Sequence, residues 1–317
     1  MAEPFAEFAV EASEGLAKLL GWDLKPPKPN AEIPMDEHPI AAHGFAQIFT
    51  CLGVRIILEE SEEGRIKVGN KESRIRELMS FAAELKSTCR LRPAVARSAA
   101  GRYQFAAQQV FGRCAAPLLK ALYEQGSASS DILVDPCLPD IVNNLSCMLR
   151  DKPIRQCRIH YRCPVHIFTD GAAEPDQAAT AGAILIDPEV GTRQFFSYTV
   201  PHELVRRWKS GGKDQTINQV ELHPINVAVQ TWEKHIAGRE AFFWVDNESA
   251  RHGAIKGSSP ISYSNEIIEQ LWRRLSCSEV FPWFARVPSS GNPADDPSRL
   301  VIADLLKEGW TQVTPVL

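Results

Sequence analysis

The second half of the chain alternates between short apolar runs and longer segments with apolar residues at helical spacing. Five runs predict strands, at residues 165–171, 181–187, 193–200, 241–247 and 280–287. Three periodic segments predict helices, at residues 218–236, 264–275 and 295–307. A three-stranded meander followed by strands that alternate with helices indicates an α/β fold, a mixed five-stranded sheet with flanking helices.

The first half predicts a smaller, mainly helical segment with a β-hairpin. Residues 45–68 are rich in β-branched and aromatic side chains, and a turn at Gly64 lets the chain return as a second strand. Apolar spacing then predicts helical regions at residues 72–86, 92–125 and 141–149. The second of these regions is expected to break at Phe111-Gly112.

Composition and turn residues divide the chain into five parts. A proline-rich run at 25–29 stops regular structure, so the residues before the first strand are expected to form a flexible leader. The expected parts are a leader at 1–44, a strand-and-helix segment at 45–125, a connection at 126–162, the α/β unit at 163–308 and a tail at 309–317.

The composition is that of a globular intracellular protein. Of 317 residues, 44% are hydrophobic and 23% charged, which excludes a disordered or fibrous chain. The acidic N-terminus lacks the features of a signal peptide, and no run approaches the roughly 18 apolar residues of a membrane span, so we expect no membrane association. The eight cysteines form no Cys-x-x-Cys pair, which disfavours a zinc site and favours reduced thiols in the cytoplasm or nucleus.

Four acidic residues stand at ends of predicted elements. Asp170 and Asp246 end strands, Glu221 lies one turn into a helix, and Asp295 opens the last helix. Each alone is more often a turn former or a helix cap. Together, in this order, they predict one cleft at a sheet edge, where crowded carboxylates repel unless they take up protons or bind cations. Hard oxygen ligands favour Mg²⁺, with Mn²⁺ as the expected substitute, and two ions about 4 Å apart form the clamp for in-line hydrolysis of a phosphodiester.

These acids lie in motifs that resemble ribonuclease H, most closely the ribonuclease H domain of retroelement polyproteins. The motifs are FTDGA at 168–172, QVELHPINVAV at 219–229, FFWVDNESA at 242–250 and RVPSSGNPADDPSRL at 286–300. The resemblance implies that Asp170, Glu221, Asp246 and Asp295 are the catalytic, metal-binding acids. It also implies an Mg²⁺-dependent endoribonuclease that cuts the RNA strand of an RNA/DNA hybrid by two-metal hydrolysis.

Substrate contacts are expected on both sides of these acids. Selectivity for a hybrid would come from contacts with the 2′-hydroxyl groups of the RNA strand, and backbone near Gly171, Asn247 and Asn292 is expected to supply them. Arg158 and Arg162 belong to a basic run that predicts either a phosphate-contacting strip or a solvated linker. The loop at 287–291 lacks the histidine that cellular ribonuclease H enzymes often carry there.

Four tryptophans of the second half fall on core-like positions of predicted strands and helices. This placement favours packing in the core over a base-stacking platform. They are Trp232, Trp244, Trp272 and Trp283.

Residues 45–125 resemble the end of the palm and the thumb of reverse transcriptase, through CLGVRIIL at 51–58 and RSAAGRYQFAAQQVFGR at 97–113. The chain has no Tyr-x-Asp-Asp hairpin, so it is not expected to polymerise DNA. It looks like the C-terminal part of a retroelement polyprotein, and the rest of a reverse transcriptase, or another protein that covers the thumb-like half, is an expected partner besides the hybrid.

Two other functions remain open from the sequence. One is a catalytically silent retroelement remnant that serves as a nucleic-acid-binding or structural module. The other is a different nuclease or an integrase of the same fold. The Thr-Asp-Gly motif before a meander, with four acids rather than three, favours the ribonuclease H branch over the integrase.

Overall fold

Two apolar cores organise the protein, one built from side chains between residues 78 and 149 and the other from side chains between 165 and 284. The computed structural model describes residues 47–51, 53–110, 112–128, 132–151, 154–158, 163–174, 178–210 and 216–317. The leader predicted at 1–44 lies outside the described residues, as do Phe111 and Arg162. We refer to residues 47–158 as the N-terminal part and to residues 163–317 as the C-terminal part.

The N-terminal part combines an antiparallel sheet with four helices. Its elements are β1 (Ile48–Cys51), β2 (Val54–Ile57), β3 (Arg65–Asn70), α1 (Glu72–Thr88), β4 (Arg90–Leu91), α2 (Pro93–Gln108), α3 (Ala116–Ser127), β5 (Ile132–Leu133), α4 (Leu138–Asp151) and β6 (Ile154–Arg158). The sheet has the order β1-β2-β3-β6, and β4 pairs with β5. The hairpin predicted around Gly64 is present as β2 and β3, but the run before it forms two antiparallel strands, β1 and β2, instead of one. The predicted helices are present, and residues of the expected connection add α4 to the core and β6 to the sheet.

The C-terminal part contains the predicted α/β unit. Its elements are β7 (Val165–Ala172), β8 (Thr180–Asp187), β9 (Thr192–Thr199), α5 (His202–Lys209), α6 (Ile217–Thr231), α7 (Glu233–Ile236), β10 (Glu240–Val245), α8 (Glu248–Lys256), α9 (Ser262–Cys277), β11 (Phe281–Arg286), α10 (Asp295–Ser298), α11 (Ala303–Lys307) and β12 (Thr311–Gln312). None of the described helices is both long and apolar enough to cross a lipid bilayer.

The sheet of the C-terminal part is mixed, with the order β11-β10-β7-β8-β9-β12. Strands β7, β8 and β9 form the predicted antiparallel meander, while β10 runs parallel to both β7 and β11. The predicted mixed α/β fold is therefore confirmed, and the tail adds the short strand β12 beside β9. Because Val245 pairs with Thr169, the next residue on each strand places Asp246 beside Asp170.

Two glycines let the flanking elements approach the sheet closely on opposite faces. A Cβ at Gly171 would lie 2.5 Å from the carbonyl oxygen of Val220 in α6. That carbonyl is free to face the strand because Pro224, four residues on, has no N–H to donate to it. On the other face, a Cβ at Gly182 would lie 2.5 Å from the backbone of Pro297 in α10. Both elements carry a predicted site acid, so these contacts set where the acids stand.

The two parts meet where the chain turns between α2 and α3. Gly112 takes a φ of +78°, and a Cβ there would lie 2.9 Å from the Trp272 ring. The Cys114 thiol also lies 3.1 Å from the Trp272 carbonyl oxygen. Gly112, at the predicted break, therefore lies against α9, while Phe111 is outside the described residues.

The structure corrects several predicted elements. The helix predicted at 218–236 is interrupted at Trp232, and α5 and α8 were not predicted. The continuous helix predicted at 295–307 is wrong, because Leu300 takes a left-handed φ of +63° that separates α10 from α11.

The tryptophan prediction holds in part. Trp232 and Trp272 are buried in the core, and Trp244 is half-buried. The prediction is wrong for Trp283, which is 65% exposed. Trp283 stands on the edge strand β11, where a neighbouring strand is present on one side only.

Candidate metal centre

Three carboxylates converge at the end of β10. Asp170 comes from β7, Glu221 from the second turn of α6, and Asp246 directly follows β10. One oxygen atom from each lies within 4.8 Å of the others. The structure thus brings together three of the four acids singled out in the sequence.

Burial and mutual repulsion perturb two of these carboxylates. The pKa of Asp170 is raised to about 6, chiefly by burial and also by the charges of Asp246 and Asp295, against a hydrogen bond with Ser298 that lowers it. The pKa of Glu221 is likewise raised to about 9, chiefly by burial and also by the charges of Asp170 and Asp246. The protein's own groups therefore do not compensate three negative charges in this cluster.

Two residues beside the cluster stabilise the charged form of Glu221. The Gly171 N–H and the Asn247 side chain both hydrogen-bond its carboxylate, and both lower its pKa. Asn247 is also the N-cap of α8, because its Oδ1 accepts a hydrogen bond from the Ala250 N–H at 3.0 Å. The side chain that starts α8 therefore also fixes the orientation of Glu221.

The donor set fits a hard divalent cation. Among the described residues, Glu221 Oε2 and Asp246 Oδ1 are buried oxygen atoms with no hydrogen-bond partner. Buried acceptors are normally satisfied, so two unsatisfied carboxylate oxygens in one cluster call for a positively charged ligand. Carboxylate oxygens favour Mg²⁺ or Mn²⁺ over softer metals. Glu221, Asp246 and Asp170 are the residues that would hold it.

Asp295 stands next to this cluster but outside it. Its side chain is 47% exposed, and its Oδ1 accepts a hydrogen bond from Arg299 Nε at 3.1 Å. Arg299 also pairs with Glu174 at 3.3 Å. Asp295 is close enough to raise the pKa of Asp170, yet it is not among the three mutually close carboxylates. Its role as a fourth metal-binding acid stays a prediction.

The residues predicted to contact the substrate differ in their environments and in how much of them the structure describes. Asn292 is buried, where its Nδ2 donates to the Thr169 carbonyl at 3.1 Å and its Oδ1 accepts from the Ala294 N–H at 3.2 Å. Its amide thus ties the loop before α10 to β7. The Arg158 backbone pairs with β3, while its side chain and all of Arg162 lie outside the described residues.

Ser298 and Arg299 contact the site acids and were not singled out in the sequence. Ser298 is fully buried against Asp170, and Arg299 pairs with Asp295. The signal for both was present, because they are the Ser-Arg pair of the last motif. His223 points away from the cluster, since its Nδ1 lies 2.7 Å from the Tyr198 hydroxyl.

Neither a protein family nor a curated protein matches the sequence. Among solved structures, the chain is similar to RNase H1 from the halophilic archaeon Halobacterium salinarum, with 17% identity over 44% of this chain and 98% of that one, at a TM-score of 0.34. It is similar to LC11-RNase H1, isolated from compost by a metagenomic approach, with 17% identity over 46% of this chain and 99% of that one, at a TM-score of 0.35.

A third similarity extends over both parts of the chain. It is to a foamy viral protease-reverse transcriptase in complex with double-stranded DNA, with 14% identity over 76% of this chain, at a TM-score of 0.29. The matched region is 38% of that protein's length. At these identities and TM-scores the similarities carry no conclusion about chemistry, which rests on the site itself.

Proposed function

We propose that the protein is a divalent-metal-dependent endoribonuclease that hydrolyses the RNA strand of RNA/DNA hybrids. The observation that carries the proposal is the cluster of Asp170, Glu221 and Asp246, with two buried carboxylate oxygens that lack any described hydrogen-bond partner. The ribonuclease H motifs that contain these acids support the choice of reaction.

Each residue of the cluster has a separate task in this proposal. A pair of bound Mg²⁺ ions would polarise the scissile phosphate and lower the pKa of the attacking water. Asp170 and Asp246 present oxygens from adjacent strands, while Gly171 and Asn247 orient Glu221 by hydrogen bonding. Asp295 completes the set from α10, which packs on the face of the sheet opposite to α6 and Glu221.

The balance of charge is compatible with a nucleic-acid substrate. Residues 150–317 contain 19 Lys and Arg against 20 Asp and Glu, so removing the four proposed metal acids leaves 16 acids and a small positive excess. Bound cations would raise this excess further, which favours approach of a phosphate backbone.

The proposal includes a retroelement origin. In it, the chain is the C-terminal part of a reverse transcriptase without its polymerase palm, and the N-terminal part positions the substrate. The motif resemblance at residues 45–125 supports this, as does the contact of Gly112 with Trp272, which joins the thumb-like helices to the C-terminal part.

The test is cleavage of an end-labelled RNA/DNA hybrid, with Mg²⁺ and with EDTA, beside single-stranded RNA and duplex DNA. Asp246→Asn should slow hybrid cleavage at least about a hundredfold, because metal stabilisation of the transition state is worth several kcal/mol and each 1.4 kcal/mol is about tenfold. Asp296→Asn is the matched control, since it removes one charge from an exposed aspartate outside the cluster and should keep the parent rate.

Two results would overturn the proposal. Cleavage by the Asp246→Asn protein at the parent rate would show that the cluster is not the active site. A folded parent protein that cleaves no hybrid with Mg²⁺ or Mn²⁺ would favour the catalytically silent remnant instead.

A further inference from the structure

A row of aromatic rings crosses the sheet of the C-terminal part. It consists of His166 and Phe168 on β7, Phe242 and Trp244 on β10, and Trp283 on β11, which we call the aromatic face. Neighbouring ring centroids are 5.5 Å apart for His166 and Phe242, 5.7 Å for Phe168 and Trp244, and 6.4 Å for Phe242 and Trp283. The rings therefore form one continuous surface rather than isolated contacts.

Strand register places these rings on one side of the sheet. Phe242 pairs with both His166 and Trp283, and Trp244 pairs with Phe168, so their side chains point the same way. The residues between them, such as Ile167 and Phe243, are fully buried on the opposite side. The aromatic rings are consequently not the part of the sheet that supports the main core.

The elements that pack on this side of the sheet extend only partway across it. Ile184, which pairs with Phe168 on the neighbouring strand β8, is fully buried, and α10 lies against Gly182 of the same strand. After α10 the chain runs to β12, beside β9 at the far edge of the sheet. Towards the other edge, exposure rises from the half-buried Trp244 to Trp283 at 65%.

The aromatic face begins next to the candidate metal centre. Phe168 lies two residues before Asp170 on β7, so the two side chains share a face of the strand, roughly 7 Å apart along it. Trp283 pairs with Phe242, which lies four residues before Asp246. Trp283 is therefore displaced from Asp246 by roughly 13 Å along the strand direction. A nucleic-acid strand that extends from the carboxylates along this side of the sheet would pass over the rings.

Two arginines stand at the outer end of the aromatic face. A groove of about 510 Å³ is lined by Phe242 and Trp283 from the C-terminal part and by Arg113 and Arg155 from the N-terminal part, with one acid, Glu240, at the start of β10. Neither arginine forms an ion pair with a carboxylate of the described residues, and the buried Nε of Arg155 has no hydrogen-bond partner among them. Exposed rings with guanidinium groups beside them are complementary to stacked bases with phosphates.

The edge of the sheet disfavours another occupant, an added β-strand from a second chain. Pro282 lies in β11 and has no N–H to donate to such a strand. The groove also carries a net positive charge, because Arg113 and Arg155 stand against a single acid, Glu240, and burying these charges under a plain apolar partner would be costly.

We propose that the aromatic face and the adjoining groove bind a single-stranded segment of nucleic acid. In this arrangement bases stack on Trp283 and Phe242, and phosphates contact Arg113 and Arg155. The site goes beyond the proposed cleavage, because binding of an unpaired strand needs neither the carboxylates nor a metal ion. Its natural ligand would be the unpaired extension of a nucleic acid held at the carboxylates.

The test is fluorescence anisotropy of a labelled twelve-nucleotide oligothymidylate in EDTA, with duplex DNA of the same length as competitor. The full chain should bind the single strand more tightly than the duplex. Trp283→Ala should weaken binding about tenfold, as expected for loss of one stacking platform, while Trp283→Phe should keep most of it. Trp310→Ala is the matched control, because Trp310 lies near Arg193 beside β9, at the far edge of the same sheet.

The arginine contribution has its own readout. Arg155→Gln should weaken binding and reduce its dependence on salt, since one phosphate contact is lost. Equal affinity for duplex and single strand, or no effect of Trp283→Ala, would overturn the proposal. A dimer that dissociates on Trp283→Ala, without oligonucleotide binding, would overturn it in favour of a contact between copies of the chain. Since the binding assay uses a DNA strand in EDTA and measures no cleavage, neither result depends on the proposed nuclease activity.

Discussion

Replacement of Asp170 by asparagine should make the metal-free protein more stable at pH 8, although Asp170 belongs to the candidate metal centre. Burial raises the pKa of this carboxyl from 3.8 to about 6. A shift of about 2 units corresponds to about 3 kcal/mol of unfavourable free energy for the ionised form. Asparagine removes that charge but adds an amide with hydrogen bonds to satisfy, so we expect a gain of about 1–3 kcal/mol.

The sign of this effect depends on pH in a defined way. A carboxyl whose pKa is raised by folding contributes stability that is fully present below its unfolded pKa, near 4, and is lost as the pH rises through about 6. The advantage of Asp170→Asn over the parent should therefore be absent at pH 4 and complete at pH 8.

Thermal unfolding in EDTA, followed by tryptophan fluorescence from pH 4 to pH 8, measures this difference. Trp232 and Trp272 are buried in the C-terminal core, so the emission reports the loss of that core. For a unit of this size, 1 kcal/mol raises Tm by about 2–4 °C, so the variant should melt several degrees higher at pH 8.

Asp187→Asn is a matched control with the opposite sign. Asp187 is also a buried strand aspartate of this sheet, but its Oδ1 accepts a hydrogen bond from Arg239 Nη2 at 3.0 Å, and this pairing lowers its pKa. Removing one partner of such a buried pair costs about 3–5 kcal/mol. If Asp170→Asn lowered Tm at pH 8, or raised it equally at pH 4, the electrostatic account of the centre would be refuted.

Two further predictions concern the metal and the close packing around the sheet. Mg²⁺ should raise the Tm of the parent protein more at pH 8 than at pH 5, because Asp170 and Glu221 must lose protons to bind it and have pKa values of about 6 and 9. Equal shifts of Tm at the two pH values in thermal melts would contradict this. Gly182→Ala should lower the free energy of unfolding by about 1–3 kcal/mol in urea titrations and slow hybrid cleavage, because its Cβ would lie 2.5 Å from the Pro297 backbone. Gly291→Ala is the control, since a Cβ there meets open space and should change neither quantity.

The strand-end acids were predictable from local pattern. Asp170 and Asp246 each follow an apolar run, and the β/α rhythm between them places the ends of both strands at one edge. Glu221 needed the motif resemblance, since nothing in the period of its helix marks one polar position as special. The mixed sheet followed from the same rhythm.

Features that depend on long-range pairing were not predictable in this way. Trp283 looks like a core residue in its strand, and only the strand order shows that β11 is an edge. Strand β6 pairs with β3, which lies far back along the chain, so its basic sequence looked like a linker. The break at Leu300 depends on one left-handed residue that helical spacing does not reveal.

At Gly171 and Gly182 the sheet is no thicker than its own backbone. These glycines lie on paired strands and face opposite sides, with α6 seated on one and α10 on the other. The elements that carry Glu221 and Asp295 therefore both rest on strand backbone at these glycines, and packing against the main chain helps to set the distance between them. In the proposed metal centre this arrangement would act like a chelator with a fixed bite, because main-chain packing sets the spacing of its carboxylates.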